Sequence, residues 1–189
     1  MEVQQPTTQI RNSKFVLVLG YNGTGKTTFI RQLVEAVYQK CLIITPDVIE
    51  WQDVPENTLE RKEDFNFYGV QKHIFNPDYT LKALAYFTKG IVVFDDCRAY
   101  LEDKTSRSLI KLLIRRRQQE IDIFAVGHGF TTIPPLFYTY CSELVLFKTV
   151  DNINRRKNVL KDYEKTLKAQ QEVNIKAKKN PYFRKIIKY

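Results

Sequence analysis

The nine residues GYNGTGKTT, Gly20 to Thr28, combine glycines, hydroxyl groups and one lysine in an order suited to a phosphate chain. Gly20, Gly25, Lys26 and Thr27 satisfy the pattern G-x-x-x-x-G-K-[ST], a loop whose backbone N–H groups cradle phosphates. The lysine of this pattern reaches the β- and γ-phosphates, and the hydroxyl that follows it coordinates Mg²⁺. The loop therefore predicts nucleotide binding, with ATP and Mg²⁺ as the ligands.

The predicted contacts run along the whole loop. It lies between the apolar run KFVLVL and the helically spaced FIRQLVEAV, and this strand-to-helix context makes the motif credible. A glycine-rich turn that matches by chance is the alternative. The predicted nucleotide-binding residues are Gly20, Asn22, Gly23, Thr24, Gly25, Lys26, Thr27 and Thr28, with Thr27 also on the metal and Lys26 also catalytic.

Two carboxylates follow a second apolar run in IVVFDDC. Ligands of open α/β sheets bind at the carboxyl ends of the strands, so we predict that Asp95 lies beside the loop and holds Mg²⁺. Asp96 is then available to orient or polarise the water that attacks the γ-phosphate. A solvated loop start with ordinary acidic residues is the alternative for both.

The segment LIRRRQQEIDIFAVGHGF carries three arginines at the end of a predicted helix, then a buried strand that ends at His128. This order predicts that His128 lies on the same rim as the loop and Asp95. A neutral imidazole there can donate one hydrogen bond to the γ-phosphate or to water, and its titration would make activity pH-sensitive. A structural histidine in a glycine-flanked turn is the alternative. Arg115 to Arg117 are also compatible with a solvated helix end, which cations favour.

Short apolar runs alternate with helical stretches, which predicts an α/β fold with a mostly parallel sheet covered by helices on both faces. FVLVL and IVVF are apolar without alternation, as expected of strands buried on both faces. Pro46 to Asn76 is interpreted as an irregular excursion with one edge strand in VQKHIF. The predicted strands are Lys14–Leu19, Cys41–Thr45, Ile91–Phe94, Ile121–Val126 and Glu143–Phe147, and the predicted helices are Lys26–Tyr38, Tyr79–Phe87, Thr105–Gln119 and a long charged helix from near Asn152.

Positive charge is concentrated at the C-terminal end. Asp151 to Tyr189 contains twelve Lys/Arg against four Asp/Glu, which is +8 of the chain's formal charge of +9. We therefore divide the chain into a core of residues 1–150 and a basic C-terminal helical segment of residues 151–189. Its basic residues, mixed with Tyr182, Phe183 and Tyr189, favour sequence-independent contact with DNA. A solvated helix and tail, with the aromatic rings docked on the protein itself, is the alternative.

Neither a disulfide framework nor a zinc cluster is predicted. The three cysteines, Cys41, Cys97 and Cys141, are isolated, and no C-x-x-C pair is present. No apolar stretch approaches the roughly 18 residues of a membrane-spanning helix, and MEVQQPTTQIRNSK lacks the apolar centre of a secretory signal. We expect an intracellular protein without a membrane span.

Together these motifs resemble the FtsK/HerA superfamily of DNA-pumping ATPases, in particular the genome-packaging ATPases of tailless viruses and the Zot-like proteins of filamentous phages. The resemblance covers about Lys14 to Lys148. In these families a helix after the acidic strand ends in an arginine, and a sensor glutamine ends the next strand eleven residues later. Counting back eleven residues from His128 reaches Arg117.

The resemblance implies a P-loop NTPase core of the RecA-like type, with Lys26 and Thr27 in the phosphate loop and Asp95 on the metal. It also implies that Arg117 is an arginine finger, which reaches the nucleotide of a neighbouring subunit. The choice of Arg117 over the two arginines before it rests on spacing alone.

The chain departs from the family pattern at two positions. Asp96 stands where the family usually has glutamate, which shortens the reach to the attacking water by one methylene. His128 stands where glutamine is usual.

The leading hypothesis is a Mg²⁺-dependent ATPase that forms a homo-oligomeric ring, a hexamer by resemblance, and drives DNA into a viral capsid. DNA without sequence specificity and a capsid vertex or portal protein are the expected partners. The expected location is the host-cell cytoplasm, the virion or both. The chain shows neither the extra β-barrel of cellular HerA relatives nor the membrane anchor of FtsK or Zot relatives, which favours packaging.

Two other functions remain open. A nucleoside or nucleotide kinase also joins a phosphate loop to an acidic strand, although the short RRRQQE connection leaves little room for an arginine-rich lid. A phage assembly protein of the Zot-like type would bind ATP as a structural ligand, and the unusual Asp96 and His128 keep that alternative open.

Overall fold

The computed structural model describes residues 13–36, 40–46, 49–100 and 107–189. Within these residues, one sheet contains seven strands. The strands are β1 (Phe15–Leu19), β2 (Cys41–Thr45), β3 (Val70–Ile74), β4 (Gly90–Phe94), β5 (Ile121–Gly127), β6 (Glu143–Leu146) and β7 (Lys185–Lys188).

The strands lie in the order β3-β2-β4-β5-β1-β6-β7. Every neighbouring pair is parallel except β6 and β7, which are antiparallel. Parallel neighbours need crossover connections, and the helices supply them. The predicted α/β fold with a mostly parallel central sheet is confirmed. The edge strand predicted in VQKHIF is confirmed as β3.

Helices cover both faces of this sheet. Ile30 and Val34 of the first helix enter the core on one face, while Leu109 and Leu113 enter it on the other. No helix in the described ranges combines the length and apolarity needed to cross a membrane. The α-helices are α1 (Lys26–Ala36), α2 (Thr80–Ala83), α3 (Arg107–Arg115), α4 (Pro135–Tyr140) and α5 (Tyr163–Lys176), and 3-10 turns occupy Lys62–Phe65, Leu84–Tyr86, Cys97–Tyr100, Phe130–Thr132 and Ile153–Arg156.

The strand β1 explains why the central strands are apolar throughout. Phe15, Leu17 and Leu19 join the core cluster on one face of the sheet, whereas Val16 and Val18 join the cluster on the other. Successive side chains of a strand point to opposite faces, so a strand covered on both sides needs apolar residues at every position.

Two predicted helices have the wrong bounds. The helix predicted to end at Gln119 ends at Arg115, and a turn leads from it into β5. The charged helix predicted from near Asn152 starts as α5 only at Tyr163, where the Asp162 carboxylate accepts a hydrogen bond from the Lys165 backbone N–H. Such a cap satisfies a backbone donor that the first helical turn leaves open.

Other predicted bounds differ less. The helix predicted over 79–87 consists of α2 followed by a 3-10 turn. The predicted helix end at Tyr38 and the predicted helix start at Thr105 lie outside the described residues.

Two elements were missing from the prediction, α4 and β7. The strand β7 is formed by the last residues of the basic segment and pairs with β6 from Glu143↔Lys188 to Leu146↔Lys185. The sequence KIIK is too short and too charged to be recognised as a strand without its partner. The C-terminal segment therefore contributes an edge strand to the sheet, while the division of the chain at residue 150 stays a prediction.

Ile187 and Ile186 provide a test of β7. Ile187 is 2% exposed and belongs to the core, whereas the adjacent Ile186 is 52% exposed on the other face of the strand. We expect Ile187→Ala to lower the free energy of unfolding by about 2–4 kcal/mol, because it leaves a cavity in the core. The matched control Ile186→Ala should cost less than about 0.5 kcal/mol. Urea denaturation measures both, and equal effects would show that β7 does not pack as described.

Candidate nucleotide-binding site

The central strands bring the predicted site residues to one edge of the sheet. The strand β5 lies between β4 and β1, and its register pairs Ala125 with Phe94 and Gly127 with Leu19. The residues that follow β1, β4 and β5 therefore leave the sheet side by side. These residues are the phosphate loop, the Asp95–Asp96 pair and His128.

A cavity of about 380 Å³ opens at this edge. It brings together predicted residues from three separate parts of the chain, which supports a single site. The lining residues are Asn22, Gly23, Lys26, Thr27, Pro46, Glu50, Asp95, Asp96, Val126, Gly127 and His128.

The phosphate loop depends on glycine at several positions. Gly23 and Gly25 have φ angles of +74° and +91°, a region that L side chains rarely adopt. Gly20 is needed for a different reason: a Cβ there would lie 2.5 Å from the Phe147 Cβ and 2.7 Å from the Thr24 hydroxyl. The backbone can therefore curl around a phosphate while its start packs tightly against the residue after β6.

Three further residues predicted to bind nucleotide have different surroundings in the loop. Asn22 lines the cavity. Thr24 is buried and its hydroxyl donates to the Tyr21 carbonyl at 2.8 Å, so its side chain stabilises the loop. Thr28 is exposed beside Thr27 in the first turn of α1.

Lys26 is buried under the loop. Its ammonium donates hydrogen bonds to the carbonyls of Gly20 at 2.8 Å and Tyr21 at 3.0 Å. Burial lowers the pKa of this ammonium, and the negative charges of Asp95, Asp96 and Glu50 oppose that change. The lysine is thus a positive charge held between the loop and three carboxylates, where a phosphate chain can compete for it.

Asp95 is oriented by the excursion that follows β2. The indole Nε1–H of Trp51 donates a hydrogen bond to its Oδ2 at 2.8 Å. Arg31 stacks on the Trp51 ring at 4.4 Å and forms hydrogen bonds with Asp53 at 2.6 and 2.8 Å. A carboxylate that accepts a fixed donor keeps one orientation, as a metal-binding residue requires.

Asp96 and His128 face each other across the cavity. The His128 Nε2 lies 3.7 Å from the Asp96 Oδ1, which is beyond hydrogen-bond distance, and the Arg98 Nε lies 3.3 Å from the same oxygen. The His128 Nδ1 is buried and has no hydrogen-bond partner among the described residues. Asp96 has a φ of +50°, a conformation that aspartate tolerates better than most residues.

Arg117 lies outside the cavity of its own chain. It is exposed in the turn before β5, and His128 follows the other end of that strand, so roughly 20 Å separate them. Arg116 is buried and donates to the Leu113 carbonyl at 2.6 Å, which gives it a structural contact. Arg115 is exposed and lines a separate cavity beside α2. The role of Arg117 as an arginine finger stays a prediction, because its guanidinium could reach only the nucleotide of a neighbouring subunit.

Sequence reasoning missed the contribution of the 46–76 excursion. Pro46 and Glu50 line the cavity, and Trp51 holds Asp95. None of these residues follows a strand in a recognisable motif. The signal available was the strong acidic and aromatic content of the segment after β2, whose carboxyl end lies beside that of β4.

No protein-family model and no curated protein matches this sequence. Solved structures, however, are similar to this chain. The genome packaging NTPase B204 from Sulfolobus turreted icosahedral virus 2, in complex with AMP, has a TM-score of 0.70 over 93% of this chain and 92% of that chain, at 13% identity. Its complex with AMPPCP has a TM-score of 0.66 over 93% and 97%, at 14% identity. The chain has the fold of a viral genome-packaging NTPase. The resemblance read from the motifs is confirmed at the level of the fold.

A further solved structure comes from the other predicted group of relatives. The N-terminal domain of zonular occludens toxin from Neisseria meningitidis has a TM-score of 0.43 over 70% of this chain and 75% of that chain, at 16% identity.

The donor set fits a nucleoside triphosphate with Mg²⁺. Two positive-φ glycines shape the loop, Lys26 adds a buried cation, and the exposed Thr27 hydroxyl lies on the same cavity as the oriented carboxylate of Asp95. The described residues contain no cluster of three or more His, Cys, Asp or Glu side chains that could hold a metal by itself. Mg²⁺ is usually bound by one or two protein oxygens together with substrate phosphates and water, as these residues would allow.

The aromatic residues at the C-terminal end do not share one environment. Tyr189 donates or accepts a 2.8 Å hydrogen bond with Thr166, and burial raises the pKa of its hydroxyl to about 12. Phe183 packs against the core and lies under the Lys176 ammonium at 4.8 Å. Tyr182 is 62% exposed. Phe183 and Tyr189 therefore dock on the core of the protein, while the Tyr182 ring stays largely exposed to solvent.

We expect the His128 imidazole to titrate below pH 6.5, so that it is neutral at pH 7. Burial and then the Lys26 ammonium lower its pKa, while the Asp96 carboxylate opposes them. Asp96→Asn removes the group that favours the imidazolium and should lower the pKa further. NMR titration of the two histidines measures this, with His128→Gln to assign the signals.

The lowered pKa of His128 also makes the stability of the folded protein depend on pH. Because the unfolded chain takes up this proton more readily than the folded protein, His128 contributes a loss of stability as the pH falls below about 6.5. A folded-state pKa at or above 6.5, or a rise in Asp96→Asn, would contradict the described surroundings of the ring.

Proposed function

We propose that the protein is a Mg²⁺-dependent ATPase that packages viral DNA. The observation that carries this proposal is the single cavity shared by the phosphate loop, two strand-end carboxylates and a neutral histidine. The fold of a viral genome-packaging NTPase supports the same function. In addition, only the turn of residues 116–120 joins α3 to β5, which leaves no room there for the lid of a kinase.

In this mechanism the loop binds the triphosphate and Lys26 neutralises charge at its β- and γ-phosphates. The ammonium has only to exchange the carbonyls of Gly20 and Tyr21 for phosphate oxygens. Gly20, Asn22, Gly23, Thr24, Gly25 and Thr28 shape or complete the cradle. Thr27 and Asp95 would hold Mg²⁺, which supplies charge stabilisation to the phosphates when bound.

Asp96 orients the attacking water and accepts its proton, and His128 donates from its neutral ring to the γ-phosphate or the water. The low pKa of His128 suits a donor that adds no charge of its own to the cavity. Glu50 is a third carboxylate on the same cavity, and its longer side chain is the alternative to Asp96 for orienting the water.

Hydrolysis at a subunit interface requires a group from a second subunit. Arg117 is suited to that task because it is exposed at the opposite edge of the sheet from its own cavity. A ring in which each subunit presents this edge to the next would place one finger at each nucleotide. Six subunits are proposed by resemblance.

The basic C-terminal segment supports contact with DNA. Lys161, Lys168, Lys178 and Lys179 are exposed on it. Such a surface binds phosphates without sequence preference, and its affinity falls with salt. A capsid vertex or portal protein is proposed as the docking partner, and the host-cell cytoplasm, the virion or both as the location.

We expect ATP hydrolysis to be stimulated by DNA and lost in Lys26→Ala and Arg117→Ala. Loss of an arginine finger costs roughly 10³-fold or more in turnover. Mixing the two variants should restore part of the activity, because about a quarter of the interfaces in a random ring would combine an intact loop with an intact finger. Arg115→Ala is the matched control and should keep its turnover.

Steady-state phosphate release with and without DNA decides between the hypotheses. Turnover lost in Arg115→Ala instead of Arg117→Ala would move the finger to the other exposed arginine. Phosphate transfer to a nucleoside, with no effect of DNA, would indicate a kinase. Tight ATP binding without turnover would indicate an assembly protein that uses ATP as a structural ligand.

A pair of isosteric substitutions distinguishes the roles of Asp96 and Glu50. Asp96→Asn should lower kcat by roughly 10²-fold or more, because general-base assistance is lost. Glu50→Gln removes the same charge from the same cavity and should change kcat by less than about tenfold. Single-turnover hydrolysis, with ATP binding checked in each variant, measures both. The reverse order would assign the water-activating role to Glu50.

A further inference from the structure

The C-terminal segment touches the phosphate loop outside the cavity. A Cβ built on Gly25 would lie 3.0 Å from the Cδ1 of Tyr182, so this ring rests directly against the loop. A second contact lies one turn further along α1. There the Arg184 guanidinium lies 5.0 Å from the Phe29 ring centroid and 5.9 Å from that of Phe147. Tyr182 and Arg184 therefore flank the first turn of α1.

Both ends of this short stretch are anchored. Upstream, Asn180 accepts hydrogen bonds from the backbone N–H groups of Tyr182, at 3.1 Å to its Oδ1, and Phe183, at 2.9 Å to its carbonyl. Downstream, β7 begins at Lys185 and pairs with β6. The Lys185 ammonium also forms an ion pair with Glu172 of α5. The Tyr182 ring is thus held in position before any ligand arrives, which lowers the entropic cost of binding.

The Tyr182 ring has room for a stacking partner. It is 62% exposed although it touches the loop, while Phe183 and Tyr189 are partly buried against the core. An aromatic ring that packs with one side on a protein and exposes the other offers a flat apolar face. Such faces bind nucleobases by stacking with little preference for sequence.

The orientation expected of a bound triphosphate places its nucleoside near Tyr182. In the phosphate loop, backbone N–H groups cradle the α- and β-phosphates and the lysine reaches the β- and γ-phosphates. Lys26 and the γ-phosphate groups Asp96 and His128 lie on the cavity. A triphosphate whose γ-phosphate occupies the cavity would extend its nucleoside beyond the loop, toward the exposed start of α1. Gly25, which directly precedes α1, lies under Tyr182, and Phe29, in the first turn of α1, lies under Arg184.

We propose that Tyr182 forms the nucleobase subsite of this chain, stacks on a purine, and is held over the loop by Arg184 and β7. The subsite rests on the proposed nucleotide-binding function and adds to it the residue that recognises the base. A purine covers more of the ring than a pyrimidine, so the subsite favours ATP over CTP. It also gives the C-terminal segment a role at the nucleotide that is separate from DNA binding.

Calorimetric titration with ATP and with inorganic tripolyphosphate tests this subsite, because tripolyphosphate has no base. Tyr182→Ala should weaken ATP binding on the order of tenfold, which corresponds to about 1.4 kcal/mol, and leave tripolyphosphate within about twofold. Tyr182→Phe keeps the ring and should bind ATP like the wild type. Tyr68→Ala is the control for removal of an exposed tyrosine, since Tyr68 is 96% exposed and precedes β3 at the other edge of the sheet.

The preference for the base gives a second readout. The wild type should bind ATP more tightly than CTP, and Tyr182→Ala should reduce that ratio toward one. Lys26→Ala, in contrast, should weaken ATP and tripolyphosphate together.

Two results would overturn the subsite alone. Unchanged ATP binding in Tyr182→Ala would show that the base lies elsewhere, and equal weakening of ATP and tripolyphosphate would show that Tyr182 only supports the loop. A wild type that binds tripolyphosphate but gains nothing from the adenosine would also overturn it. Failure of the wild type to bind ATP at all would overturn the proposed function, and the subsite with it.

Discussion

The parallel pairing of β5 with its two neighbours is the constraint on which the site depends. Backbone hydrogen bonds set the register of Leu19 opposite Gly127 and of Phe94 opposite Ala125. This register makes three strands end at one level, so three loops far apart in the sequence start within reach of each other. A one-residue slip would also turn every side chain of a strand to the other face, and the two apolar faces of β1 make that costly.

Charge balance explains how the polar groups at this edge coexist. Lys26 is buried among Asp95, Asp96 and Glu50, and burial alone would favour its neutral form. The carboxylates and the loop carbonyls keep the ammonium solvated, while Trp51 supplies a neutral donor to Asp95. A phosphate chain that enters between these groups brings further negative charge. The loop N–H groups and the positive end of α1 offset it, which explains why a glycine-rich loop must meet a helix here.

The basic C-terminal segment is part of the fold as well as a source of positive charge. Arg156 donates to the carbonyls of Phe130, Thr131 and Ile133, in the loop that follows His128. Farther along, α5 and β7 pack against β6, and Tyr182 reaches the phosphate loop. Several of its cations thus have internal partners, and the charge counted from the sequence overstates what is offered to DNA. The exposed lysines Lys161, Lys168, Lys178 and Lys179 lie just before α5, on it and in the turn after it.

The sequence by itself determined the α/β class, six of the seven described strands and the three motifs of the site, because each is a local pattern. Uninterrupted apolar runs mark strands covered on both faces, and the loop motif names its own chemistry. Only the tertiary structure decided the rest. β7 needs β6 as a partner before KIIK becomes a strand, and Trp51 and Glu50 reach the site through an excursion without a repeating pattern. Likewise, Arg116 is distinguished from its exposed neighbours by a buried contact with Leu113, and Tyr182 from Phe183 by which surface each ring meets. The pairing of β7 with β6 and the contact of Trp51 with Asp95 join residues distant in sequence, and neither propensity nor spacing encodes them. The Arg116 contact is local, but which of the three arginines is buried depends on how the helix end packs in the fold.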